Sequence, residues 1–105
     1  MIERIVWSDR AERSYGQIID YVADEFGVTR AKQYVAEVHK AVGKLPANPN
    51  MGQIESLLEG SRYEFRRLVI GHFTKVIYRI TESRIEIADV WDTRKSPEEL
   101  VARFK

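Results

Sequence analysis

The chain has 105 residues, 44% of them apolar and 31% charged, with a formal net charge of +1. That is enough for one modest core and too little for two, and too apolar and too balanced for disorder, so residues 1–105 are expected to form a single ordered domain. The absence of cysteine excludes disulfides, thiolate nucleophiles and zinc–thiolate sites, and no apolar run is long enough to span a bilayer or to serve as the core of a signal peptide; a cytoplasmic protein without a membrane partner is expected.

The first strand candidate, IERIVWS from Ile2 to Trp7, ends at Ser8-Asp9, either of which can cap a helix. Ala11, Tyr15, Ile18, Ile19, Val22 and Phe26 then recur at helical spacing up to Gly27, a C-cap residue. Thr29 is placed to cap a second helix, whose stripe runs Ala31, Val35, Val38, Val42 and Leu45. Two helices joined by about three residues form an antiparallel hairpin. LPANPNMGQIESLLEGS reads as a loop. Strand candidates at 62–70, 73–81 and 84–92, separated by short turns, form an antiparallel meander. The tail SPEELVARFK carries a capping box, with Ser96 at the cap, Pro97 at the first helical position and Glu99 after it. The fold class is therefore α+β: an N-terminal strand and antiparallel helical hairpin packed on a mainly antiparallel β-sheet meander, closed by a short C-terminal helix.

The small net charge conceals an asymmetry. Residues 1–61 hold seven Lys/Arg against nine Asp/Glu, and residues 62–105 hold ten against seven. Within RYEFRRLVIGHFTKVIYRI, five cations meet one acid. A two-residue Gly71-His72 turn pairs Ile70 with Phe73, Leu68 with Lys75, Arg66 with Ile77 and Glu64 with Arg79. In this register Tyr63, Phe65, Val69, Val76, Tyr78 and Ile80 face the helices, while Arg62, Arg66 and Lys75 stand on the open face with no acid opposite. Arg79 falls between Glu64 and Glu86 in a structural charge ladder. Arg67 and Asp89 land on the core face and, if buried, pair with each other. Trp91, on the same face, and Trp7 read as core residues, and His39 as structural.

Taken in order, VWSDRAERSYGQIIDYV, the MGQ loop, the KVIYRI strand and RIEIADVWDTR before a terminal helix resemble the RelE/ParE family of toxins from bacterial type II toxin–antitoxin modules. The resemblance spans nearly the whole chain and rests on order and spacing. It implies a toxin neutralised by a cognate antitoxin in a hetero-oligomer, the antitoxin docking on the sheet or against the terminal helix at Leu100, Val101 and Phe104. One branch of the family cuts mRNA in the ribosomal A site; another poisons DNA gyrase.

For the nuclease branch the resemblance places the phosphate-holding cations at Arg66, Lys75 and Arg94; on the residues themselves Arg62, Arg67 and Lys95 are candidate nucleic-acid contacts, Lys95 being otherwise a solvated charge. An endoribonuclease of this kind needs no metal or other cofactor: a 2′-hydroxyl attacks phosphorus and fixed cations meet the added charge. His72 is either a titrating group for that chemistry or a solvated turn residue. The chain departs from the nuclease pattern near its end, where Leu100 and Phe104 cannot transfer a proton. The expected activity is ribosome-dependent mRNA cleavage that inhibits translation; the alternatives are a gyrase poison without chemistry of its own, and an inactive module that only binds antitoxin or nucleic acid.

Overall fold

A computed structural model describes residues 4–104. The elements run β1 (Arg4–Trp7), α1 (Asp9–Phe26), α2 (Val28–Val42), β2 (Gln53–Ile54), a 3₁₀ turn (Ser56–Leu58), β3 (Arg66–Ile70), β4 (Thr74–Ile80), β5 (Arg84–Asp92) and α3 (Pro97–Arg103). The sheet order is β1-β5-β4-β3-β2, with β1 parallel to β5 and every other pair antiparallel. The expected α+β architecture is thus present. Ile2 and Glu3 of the expected first strand lie outside the described residues.

Ser8 caps α1, its hydroxyl accepting from the Ala11 N–H at 3.0 Å. Gly27, at φ +91°, ends α1 and begins α2, so the helices are joined by one residue rather than three and Thr29 lies inside α2. Only glycine adopts that backbone conformation without strain, which permits so abrupt a reversal. At the C-terminus Pro97 opens α3, but the Ser96 hydroxyl turns to Glu98 and the expected capping box does not form.

The loop after α2 contains the short strand β2, which periodicity could not reveal because two residues carry no pattern. It is held where Gly52 passes the sheet. The Gly52 N–H donates to the Tyr78 hydroxyl at 2.9 Å, that hydroxyl donates to the Pro49 carbonyl at 2.7 Å, and Arg66 donates to the Gly52 carbonyl at 2.7 Å. A Cβ on Gly52 would lie 2.5 Å from the Arg67 carbonyl and 2.7 Å from the Tyr78 hydroxyl.

Two departures from the expected register decide which side chains share a face. The β3–β4 turn contains three residues, Gly71 to Phe73, so Ile70 pairs with Thr74, Leu68 with Val76 and Arg66 with Tyr78. The second departure is a bulge at Ala88: Ile77 pairs with Asp89 but Tyr78 with Ile87. Residues before it keep their expected face, whereas Asp89 and Trp91 turn over.

The sheet consequently has two apolar faces. The helix face gathers Ile70, Val76, Tyr78, Ile85, Ile87 and Val90 under α1 and α2. The far face gathers Phe65, Ile77 and Trp91 under Leu58 and Leu100. Trp91 is buried as expected, but on the far face; Trp7 is half-buried against Tyr15, with ring centres 5.3 Å apart. The terminal helix covers the far face, so Leu100, expected to offer apolar surface, is fully buried, while Val101 and Phe104 remain partly exposed. The Arg67–Asp89 pair is absent: Arg67 turns to Glu55, and Asp89 accepts from Arg103 at 2.7 Å.

Candidate functional site

The strand cations do not converge. Arg66 pairs with Tyr78 and lies on the helix face; Lys75 pairs with Val69 and Trp91 and lies on the far face. The expectation that they share an open face fails because one extra turn residue rotates β4 by one pleat relative to β3. Lys75 is nearly buried, its ammonium on the Glu55 carboxylate, which also accepts from Arg67 at 3.2 Å. Glu55 is thus a buried acid between two cations, a position the sequence hid inside an apparent loop.

The remaining cations are mostly answered in place. Arg79 bonds Glu86 at 2.7 Å and covers the Tyr63 ring at 4.0 Å, while Glu64, the other expected partner, sits 3.9 Å from Arg66. Arg62 is exposed and lies near the same Tyr63 ring, 5.4 Å from its centre. His72 is exposed at the hairpin turn. Among the described residues no group of three or more His, Asp or Glu side chains is arranged to hold a metal ion.

Arg94 has the most developed surroundings. The Thr93 N–H donates to the Phe73 carbonyl at 2.8 Å, tying the end of β5 to the β3–β4 turn. Arg94 then folds back on Asp92, donating to both carboxylate oxygens at 3.0 and 2.8 Å, and reaches the Tyr21 hydroxyl of α1 at 3.3 Å. Its guanidinium lies 4.3 Å from the Phe73 ring centre and 4.9 Å from that of Tyr21. The hydrogen bonds from Arg94 hold the Asp92 carboxyl below its ordinary range, and Asp92 in turn raises the guanidinium.

Beside this clamp a groove of about 370 Å³ runs between the helix tips and the hairpin turn, lined by Val22, Phe26, Arg30, Tyr34 and Phe73. Tyr34 forms its wall, stacked parallel to Phe73 at 6.2 Å and bonded to the Thr74 hydroxyl at 3.0 Å; burial pushes its phenol up. Phe26 and Val28, on either side of Gly27, are 61% and 63% exposed. Exposed aromatic and aliphatic side chains flanked by Arg30 and Arg94 are suited to binding a macromolecular surface. Of this site sequence reasoning found Arg94 alone. Phe26 read only as the last residue of the first helix's stripe; Tyr21 lay off that stripe, and nothing local marked Phe73.

Comparison with known proteins agrees with the fold. A family model described as the ParE toxin of type II toxin–antitoxin system, parDE, matches residues 5–97. The chain is 32% identical over 95 residues to Toxin ParE1 of Mycobacterium tuberculosis, in two strains, covering 90% of this chain and 93% of the relative. Among solved structures it resembles a chain of the chromosomal ParDE TA system from P. aeruginosa, with a TM-score of 0.71 at 18% identity over 88% of this chain and 96% of the other.

Proposed function

The chain belongs to the ParE toxin family of type II toxin–antitoxin systems, and from that premise we propose that it arrests growth by binding DNA gyrase and trapping it on DNA, with no bond-making of its own. As a toxin of such a system it has a cognate antitoxin for a partner. The observation that carries the reading is the separation of Arg66 from Lys75. Phosphoryl-transfer catalysis needs fixed positive charge converging on one phosphate; here the two strand cations lie on opposite faces and Lys75 is already neutralised by Glu55. The ribosome-dependent cleavage expected from the sequence therefore loses its main support. The exposed Phe26–Val28 tip, with the Arg94 clamp beside it, offers a contact surface instead.

The test compares two reactions with purified protein. Incubation with gyrase, ATP and supercoiled plasmid is expected to yield linear DNA after detergent and protease treatment, and primer extension on translating ribosomes is expected to show intact mRNA. Codon-phased cuts that require ribosomes, with gyrase unaffected, would return Arg66, Lys75, Arg94 and His72 to catalytic roles and Arg62, Arg67 and Lys95 to RNA contacts.

A further inference from the structure

Beyond Ile87 the outer edge of β5 has no strand beside it among the described residues, because β1 ends at Trp7. One side of α1, from Ser14 to Tyr21, lies against this edge instead, and a cleft of about 180 Å³ opens between them, with Lys95 and Arg103 in its lining. Its lining is apolar below, from Ile18, Val90 and Trp91, and cationic above. Arg103 stands 4.7 Å and Lys95 5.5 Å from the Trp91 ring centre, so both charges sit over one indole.

The two cations differ in how they are held. One terminal nitrogen of Arg103 donates to the Asp89 carboxylate at 2.7 Å and to the Ser14 hydroxyl at 3.1 Å, which fixes the guanidinium; its other terminal nitrogen and Nε make no hydrogen bond among the described residues. Lys95 forms no ion pair among the described residues. The one carboxylate on the cleft wall, Asp92, is engaged through both oxygens by Arg94. The cleft thus presents unsatisfied cationic donors above an apolar floor. That combination fits a carboxylate carried on a methylene stem. A nucleic-acid phosphate has no such stem to lie along Trp91 and Ile18.

We propose that this cleft receives a glutamate side chain of the antitoxin, its methylenes on Trp91 and Ile18 and its carboxylate accepting hydrogen bonds from Lys95 and Arg103. Charge-assisted hydrogen bonds at a part-enclosed site control dissociation more than association. The assignment holds whichever target the toxin poisons, and Lys95 belongs to it rather than to a nucleic-acid contact.

The experiment uses the intact toxin–antitoxin complex, with labelled toxin chased by excess unlabelled toxin and the dissociation rate recorded. Lys95→Ala is expected to speed dissociation about tenfold and Lys95→Glu about 100-fold, Lys95→Arg to stay within threefold of the parent, and a glutamate-to-lysine change in the antitoxin to restore the hold on Lys95→Glu. Because Lys95 is exposed, these variants are expected to fold, as their far-ultraviolet circular dichroism will show. Rates for Lys95→Ala and Lys95→Glu within twofold of the parent overturn the proposal. So does an unchanged hold on antitoxin accompanied by loss of salt-dependent DNA binding, which would give Lys95 to nucleic acid.

Discussion

Lys75 and Glu55 close on each other beneath the 3₁₀ turn, an ammonium and a carboxylate both withdrawn from water. The contact ties the loop before the turn to the centre of the sheet and neutralises the Lys75 charge there. Removing one partner strands the other, whereas removing both leaves an apolar gap. Glu55→Ala is therefore expected to cost about 3–5 kcal/mol in urea unfolding, and Glu55→Leu with Lys75→Met to recover most of that loss. Strictly additive single-variant effects would show that the pair is not coupled.

Ala88 contributes little surface of its own, yet it sets the face of everything after it. Deleting it would place Asp89 directly after Ile87 in regular alternation, which keeps Ile87 and Val90 on the helix face, Asp89 and Trp91 on the far face and Asp89 beside Arg103. We expect that variant to retain a cooperative unfolding transition and a dispersed amide NMR spectrum, while Ala88→Gly, which keeps the bulge, costs only about 1 kcal/mol. A collapsed spectrum from the deletion variant would contradict the register assigned to the bulge.

Phe26 is 61% exposed, so Phe26→Ser should leave stability within about 0.5 kcal/mol of the parent. If the helix tip is the contact surface, the same change should raise the concentration needed to trap gyrase at least tenfold, about 1.4 kcal/mol of binding free energy. Unchanged trapping by folded Phe26→Ser protein would move the contact elsewhere.

Arg94 holds the Asp92 carboxyl below its ordinary range by hydrogen bonding. A depressed native pKa contributes stability above the unfolded carboxyl's pKa, and that contribution disappears as pH falls through the lower native value. Arg94→Ala should therefore lower stability at neutral pH and make the acid limb of the stability–pH curve shallower. Arg94→Lys should restore only part of the effect, since an ammonium cannot engage both oxygens in one plane. An acid limb identical to the parent's would remove this coupling.

Burial pushes the Tyr15 phenol up to about 12, and its hydroxyl is buried with no hydrogen-bond partner among the described residues. Tyr34 and Tyr78 are raised by burial as well. For a phenol raised in the native state, stability is intact below the unfolded pKa near 10.0 and declines as pH rises from there toward 12. Thermal unfolding should show that alkaline decline, reduced in Tyr15→Phe. At neutral pH the same substitution should be close to neutral, because no hydrogen bond is lost. A neutral-pH penalty above about 1.5 kcal/mol, the upper end for one intramolecular hydrogen bond, would mean that the hydroxyl is satisfied after all.

Helix existence and strand identity were legible in the chain alone because they depend on short-range physics. The stripe of α1, the Ser8 cap, the Gly27 stop and the limits of β5 all follow from periods of 3.6 and 2 and from which residues tolerate particular backbone angles. The Arg79–Glu86 pairing was likewise readable, because the tight turn between β4 and β5 fixes their local register. Order and spacing of these elements also sufficed to suggest the toxin family.

Register beyond the turns, and hence the site, belonged to the tertiary structure. A strand's faces alternate with every residue, so one added residue in the β3–β4 turn reversed the partners of Arg66 and Lys75, and one bulge residue reversed Asp89 and Trp91. Glu55 acquired its role from a loop that lies over the sheet, and the Arg94 clamp joins Tyr21, Phe73 and Asp92 from three separated segments. Such juxtapositions leave no local signal, since the chain between the partners can take many paths and only the packed core selects one. The sequence determined which elements form and that this chain is cationic in its second half; the packing of those elements decided that the strand cations are separated or neutralised and that Phe26 and Val28 stand exposed at the helix tips.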